Sequence, residues 1–218
     1  MTLQMRVYVP DHPLIKHWLT IARDAYTPSA LFKTAMKELG CLLTYEATRY
    51  WFPMREIQVQ TPLAECPATI INPEVPLAVI PILRAGLALL EGAQSLLLSP
   101  LVSIYHLGLV RDETTLEASF YLNKLPEKFQ PDTRILLLDP MLATGGTMLE
   151  AMAALTSRGA DPALMRIVSV VTAPPALKKL SEQYPSLNIY TAIIDEGLNS
   201  KGYIVPGLGD AGDRTFGT

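Results

Sequence analysis

Apolar and polar residues change period twice along this chain, from helical spacing to alternation and then to short buried runs. From Pro13 to Ala25, Leu14, Ile15, Trp18, Leu19 and Ala22 recur at helical spacing and predict a first helix. A break at Thr27-Pro28-Ser29 follows, with Ser29 placed to cap a second helix. That helix runs from Ala30 through Tyr50, with Leu31, Ala35, Leu39, Leu42, Leu43 and Ala47 along one side. Arg55–Gln60 then alternates polar with apolar, and a proline-marked link leads to Ala68–Ile71. Residues 55–71 therefore read as a β-hairpin or arm rather than a core strand pair.

Beyond Leu77 the pattern becomes regular. Leu77–Leu83, Leu101–His106, Arg134–Leu138, Met165–Val171 and Asn188–Ile194 are strand-like apolar runs. Helical stretches at Leu87–Leu98, Thr147–Ser157 and Pro175–Gln183 separate most of them. Strands separated by helices imply right-handed crossovers and a mainly parallel sheet flanked by helices, an α/β core over residues 77–195. Ligands in such sheets bind at the carboxyl ends of the strands. Gly108–Gln130, a long connection weak in apolar periodicity, reads as a lid.

At 218 residues the chain suffices for a single domain, 1–218, with a full core. Its 18 basic and 21 acidic residues nearly cancel, at a net charge of −3, which argues against nucleic acid as the main partner. A local anion site needs only a few donors and stays open. Cys41 and Cys66 form no CxxC pair, and His12, His17 and His106 show no ligand spacing with them, so both thiols are expected reduced and no metal directly ligated by side chains. The start, MTLQMRVYVPDHPL, has no long apolar run or cleavage site, and no later run is long enough for a membrane span; the cytoplasm is the expected compartment.

The densest chemistry lies in RILLLDPMLATGGT. An apolar strand ends at Asp139, which puts a carboxylate at the carboxyl edge of the sheet. Ala143-Thr144-Gly145-Gly146-Thr147 then enters a helix, where backbone N–H groups, the helix N-terminus and two hydroxyls can converge on a phosphate. Asp139 is suited to accept hydrogen bonds from sugar hydroxyls. No lysine follows Gly146, which excludes a P-loop, and GxGxxG is absent here.

DPMLATGG resembles the signature of the uracil phosphoribosyltransferases, a branch of the type I phosphoribosyltransferases. HPLIKHWL, LLTYEATR, PILRAGLAL, GLVRDETTLEASFYLNKLP and GYIVPGLGDAGDR, in this order, extend the resemblance over nearly the whole chain. It implies a type I phosphoribosyltransferase fold with a hood over the base, formed by N-terminal helices 13–50 and a C-terminal loop at 202–214. It also implies transfer of a phosphoribosyl group from phosphoribosyl diphosphate to uracil, giving UMP and diphosphate.

By the same resemblance, Asp139, Pro140, Met141, Leu142, Ala143, Thr144, Gly145, Gly146 and Thr147 bind the ribose 5-phosphate and ribose hydroxyls. Arg84 and Arg111 contact the diphosphate. Asp210 lies near the phosphoribosyl diphosphate and its Mg2+, which is held through the substrate. Ile204, Gly209, Asp210 and Ala211 hold uracil mainly through backbone groups, and Asp139, Asp210 and Arg111 form the catalytic set. A homodimer or higher homo-oligomer and a GTP effector are implied as well. The sequence departs from the family pattern at Val110, Thr114 and Pro175, and two extra residues separate PILRAG from GLVRD. The alternative in another class is an RNA-binding, pyrimidine-responsive regulator on the same fold; the acidic balance and the intact 202–214 segment argue against it.

Overall fold

The computed structural model describes residues 4–97, 102–111 and 118–218. Thr114 and the expected element ends Leu98 and Leu101 lie outside these residues.

The chain opens with a short strand, β1 (Arg6–Tyr8), that its three-residue length hid from the periodicity. Helix α1 (Pro13–Arg23) begins where the His12 ring Nδ1 accepts from the Leu14 N–H at 3.1 Å and Pro13 occupies a first-turn position whose N–H is dispensable. Helix α2 spans Ser29–Thr48. Ser29 does not cap it, contrary to the expectation from sequence. Pro28 holds the cap position, and the Ser29 hydroxyl donates instead to the Thr215 carbonyl at 3.2 Å.

Strands β2 (Met54–Gln60) and β3 (Glu65–Ile71) form a separate antiparallel hairpin. It is longer than the alternation suggested, because Cys66 and Pro67 join it; a proline is tolerated where both strands are edges. The main sheet takes in β4 (Leu77–Leu83), which leads into α3 (Leu87–Gln94), and β5 (Val102–Ile104). Strands β6 (Leu107–Arg111) and β7 (Ala118–Asn123) follow, then β8 (Arg134–Leu138), β9 (Met141–Leu142) and α4 (Gly146–Thr156). The core closes with β10 (Met165–Thr172), α5 (Pro174–Gln183) and β11 (Asn188–Ile194). After it come β12 (Gly197–Leu198), β13 (Ile204–Val205) and α6 (Ala211–Phe216).

The strand order is β1-β11-β10-β8-β4-β6-β7, with β5 also on β4 and β9 on β10. All pairings are parallel except β6 with β7, an antiparallel pair that adds to the sheet edge. The stretch read as a lid therefore begins as a strand. Its alternation is short and interrupted by a register shift at Gly108/Leu109, which weakened the pattern in sequence. Two apolar clusters sandwich the sheet. One joins α1, α2 and α3 through Phe32, Met36, Leu39, Leu43 and Leu89. The other joins α4 and α5 through Met148, Met152, Leu155 and Leu180. Strands covered on both faces read as continuous apolar runs, which is why LAVIPIL and RILLL were legible.

Candidate active site

From β4 the chain passes to β5 and β6 on one side, then to β8 on the other. The direction of winding reverses between β4 and β8, and crevices form at the carboxyl ends of strands at such a reversal. Pro81 pairs with Leu138, so the residues just beyond the two strands, Arg84 and Asp139, emerge at the same edge.

Asp139 is buried at the end of β8, its backbone N–H donating to the Val168 carbonyl at 3.1 Å. Burial pushes its carboxyl up to about 7, and the Met141 N–H, donating to Oδ1 at 3.3 Å, offsets only part of that rise. After Met141 and Leu142 rejoin the sheet against β10, the chain turns through Gly145 at φ +83°. A Cβ there would lie 3.1 Å from the Ala176 Cα, so both conformation and space call for glycine. Helix α4 starts on Gly145 with no side-chain cap. Its first-turn N–H groups have no intrahelical acceptor and point with the helix dipole toward the turn, an arrangement suited to an anion. Asp139, Met141, Leu142, Ala143, Thr144, Gly145 and Thr147 line one recess. Met148, which the sequence reading did not single out, completes the lining, whereas Pro140 and Gly146 lie in the turn without lining it.

The C-terminal segment is shaped from outside itself. Buried Ile204 pairs with Leu198 across the β12–β13 ladder, and the Val205–Pro206 peptide is cis. Gly207, at φ +61°, follows; a Cβ there would come within 2.2 Å of the Ile204 carbonyl oxygen. Buried Asp195, just past β11, takes the Gly207 N–H on Oδ2 at 3.0 Å and pairs through Oδ1 with Arg23. Arg23 in turn donates from Nη1 to the Gly207 carbonyl at 3.2 Å, so both backbone groups of one residue are clamped. Arg214 donates to the carbonyls of Ala22, Asp24 and Leu208, with its guanidinium 4.2 Å from the Phe32 ring centre.

Residues 202–214 were expected to be loop throughout, and the structure corrects this: α6 begins at Ala211. Asp210 caps it, with Oδ1 accepting the Asp213 N–H at 3.0 Å. Gly209 and Asp210 are exposed, and Ala211 is buried. The acidic residue three positions after Asp210 was the available sequence sign of a helix start. Asp195 had one too, since it closes an apolar strand as Asp139 does. Arg23 and Arg214 carried none.

Arg84 follows a cis Leu83–Arg84 peptide and is about half exposed. It does not line the recess; Nη2 pairs with Asp213 Oδ1 at 2.8 Å, and the guanidinium lies 5.8 Å from the Phe216 ring centre. Arg111 ends β6, and its side chain lies outside the described residues. The structure thus gathers most of 139–147 into one recess, and sets Arg84 against Asp213 at the start of α6, which Asp210 caps.

Residues 9–218 match the family model described as uracil phosphoribosyltransferase. A uracil phosphoribosyltransferase from Nostoc sp. is 70% identical over 218 residues, covering all of both chains. The chloroplastic uracil phosphoribosyltransferase of Arabidopsis thaliana is 52% identical over 215 residues, covering 99% of this chain and 72% of that protein. A solved structure from Aquifex aeolicus, 38% identical, superposes with a TM-score of 0.86 over 96% of this chain and 97% of its own. With a match along nearly its full length and the recess at the winding reversal of a parallel sheet, the chain belongs to the uracil phosphoribosyltransferase family.

Proposed function

We propose that the chain joins uracil to the ribose 5-phosphate of phosphoribosyl diphosphate, with the roles divided between the recess and the C-terminal segment. The carrying observation is the uncapped start of α4 beside buried Asp139, in one recess. The first-turn N–H groups with Thr144 and Thr147 take the 5-phosphate, and Asp139 takes the ribose hydroxyls. A carboxyl with one backbone donor in an apolar setting is short of hydrogen-bond donors and of positive charge. Ribose hydroxyls would supply the first, and Mg2+ carried by the substrate would supply the second, so the residues present fit a magnesium-borne substrate. Bound Mg2+ would offset charge on the leaving diphosphate.

In the reaction the bond from C1′ to the diphosphate oxygen breaks, diphosphate leaving with the electron pair. The bond from uracil N1 to C1′ forms through an oxocarbenium-like sugar while the N1 proton is lost to the departing diphosphate or solvent. Arg84 and Arg111 offset the charge on the departing diphosphate. The clamped 204–211 backbone faces uracil. O2, N3–H and O4 read acceptor, donor, acceptor, and cytosine reverses the last two, leaving fixed backbone partners unpaired.

The β2–β3 hairpin stands apart from the main sheet with Leu63 at its tip 96% exposed, which supports packing on a second subunit. No described helix is long and apolar enough to cross a membrane, and a cytoplasmic setting is proposed. Pure protein with uracil, phosphoribosyl diphosphate and magnesium should yield UMP and diphosphate; no product at high enzyme concentration sinks this reading. A nucleobase panel run with and without GTP tests base choice and the proposed effector together.

A further inference from the structure

We propose that Asp213 is a positioning residue: it orients the Arg84 guanidinium and so couples the diphosphate-facing arginine to the helix that closes the base-facing segment. The inference rests on the transferase reading above.

Arg84 and Asp213 are 129 positions apart and meet through one bond, Nη2 to Oδ1, at 2.8 Å. A guanidinium has five donors in a rigid planar fork, so a single-point contact restrains its position while leaving other edges for a second anion. Asp213 is itself held. Its backbone N–H is bonded to Asp210 Oδ1 at 3.0 Å, and Thr218 Oγ1 donates to its Oδ1 at 3.3 Å. The Phe216 ring flanks the guanidinium. Gly212 leaves room for the arrangement, since a Cβ there would lie 3.2 Å from Asp210 Oδ1 and 4.0 Å from Arg84 Nη2. Arg84, Asp210, Gly212 and Asp213 therefore form one packed corner on the first turn of α6.

Both partners of the ion pair are about half exposed, at 53% and 50% of their side-chain areas. A pair this wet adds little to stability. It does restrict a long side chain that would otherwise sample many rotamers, and prepaying that ordering favours a ligand that needs the arginine in one pose. Arrival of a diphosphate on the free edges of Arg84 would be felt at α6 through Asp213.

Asp213→Asn keeps shape, an acceptor oxygen and the backbone bond to Asp210, and removes only the charge. Expected is a rise in KM for phosphoribosyl diphosphate of about tenfold, with kcat, KM for uracil and Tm changed far less. Asp213→Glu should recover part of that loss. In a cycle with Arg84→Ala, the double variant should bind inorganic diphosphate with magnesium no more weakly than Arg84→Ala alone. A KM for phosphoribosyl diphosphate within twofold of the parent overturns the inference, as does parallel loss in both KM values and Tm, or full additivity in the cycle. UMP formation by the unsubstituted protein judges the transferase reading separately.

Discussion

The 139–147 turn and the 202–216 segment lie at the same edge of the sheet, and they are built in opposite ways. The side-chain bond in the first is local, Met141 N–H to Asp139 two residues back. Its longer-range ties are backbone bonds to the neighbouring strand β10, such as Asp139 N–H to the Val168 carbonyl and Val170 N–H to the Pro140 carbonyl. The second is held by Arg23, Asp24, Ser29, Arg84 and Asp195, four of them more than 120 positions away from what they hold. A contiguous turn carries its geometry in glycine, hydroxyl and helix-start positions that adjoin in sequence. A clamped segment borrows its rigidity, so damage to it can begin in α1 or after β11. Phosphate recognition needs only convergent donors, which a turn and a helix end provide together. Recognition of a flat base by backbone groups needs a backbone that does not relax, and buried ion pairs and hydrogen bonds supply that stiffness.

The largest test of this contrast is Asp139→Asn, which should lower kcat/KM by about 10²–10³-fold while urea denaturation shows an intact fold. Normal turnover would mean that the ribose lies elsewhere. Asp195→Asn should act the other way round. Removing one partner of a buried pair leaves Arg23 uncompensated and the Gly207 N–H less well held, at a cost of ~3 kcal/mol in unfolding free energy. KM for uracil should rise more than KM for phosphoribosyl diphosphate. Equal shifts in both would break the division between the recess and the C-terminal segment.

The third effect is a pH dependence confined to the turn. Burial raises the Asp139 carboxyl to about 7, so below that pH the free protein holds a proton that an acceptor of ribose hydroxyls must lose. Affinity for phosphoribosyl diphosphate should then rise about tenfold from pH 6 to pH 8 and level off above. Calorimetric titrations across that range should show no such rise with Asp139→Asn, and an identical slope in both proteins would remove the carboxyl from the site. Ser29→Ala is the smallest: losing the bond to the Thr215 carbonyl should cost about 1 kcal/mol, read as a lowered Tm with turnover nearly unchanged.

Composition and period alone were enough for the parallel core, because strands covered on both faces are largely apolar, and LAVIPIL, RILLL and MRIVSVV are short apolar runs set between helical stretches. They were enough for the 139–147 turn too, since an acid closing a strand, a glycine pair and a helix start stand side by side. They were not enough for β1, whose three residues carry no period, or for α6, whose cap was visible only as Asp210 and Asp213 three positions apart. The partners of Ser29, Arg23, Asp195 and Arg214 were decided by tertiary structure alone. A hydroxyl, a carboxylate or a guanidinium states what it can bond but not with whom, and in this chain the answers lie on elements that only folding brings together.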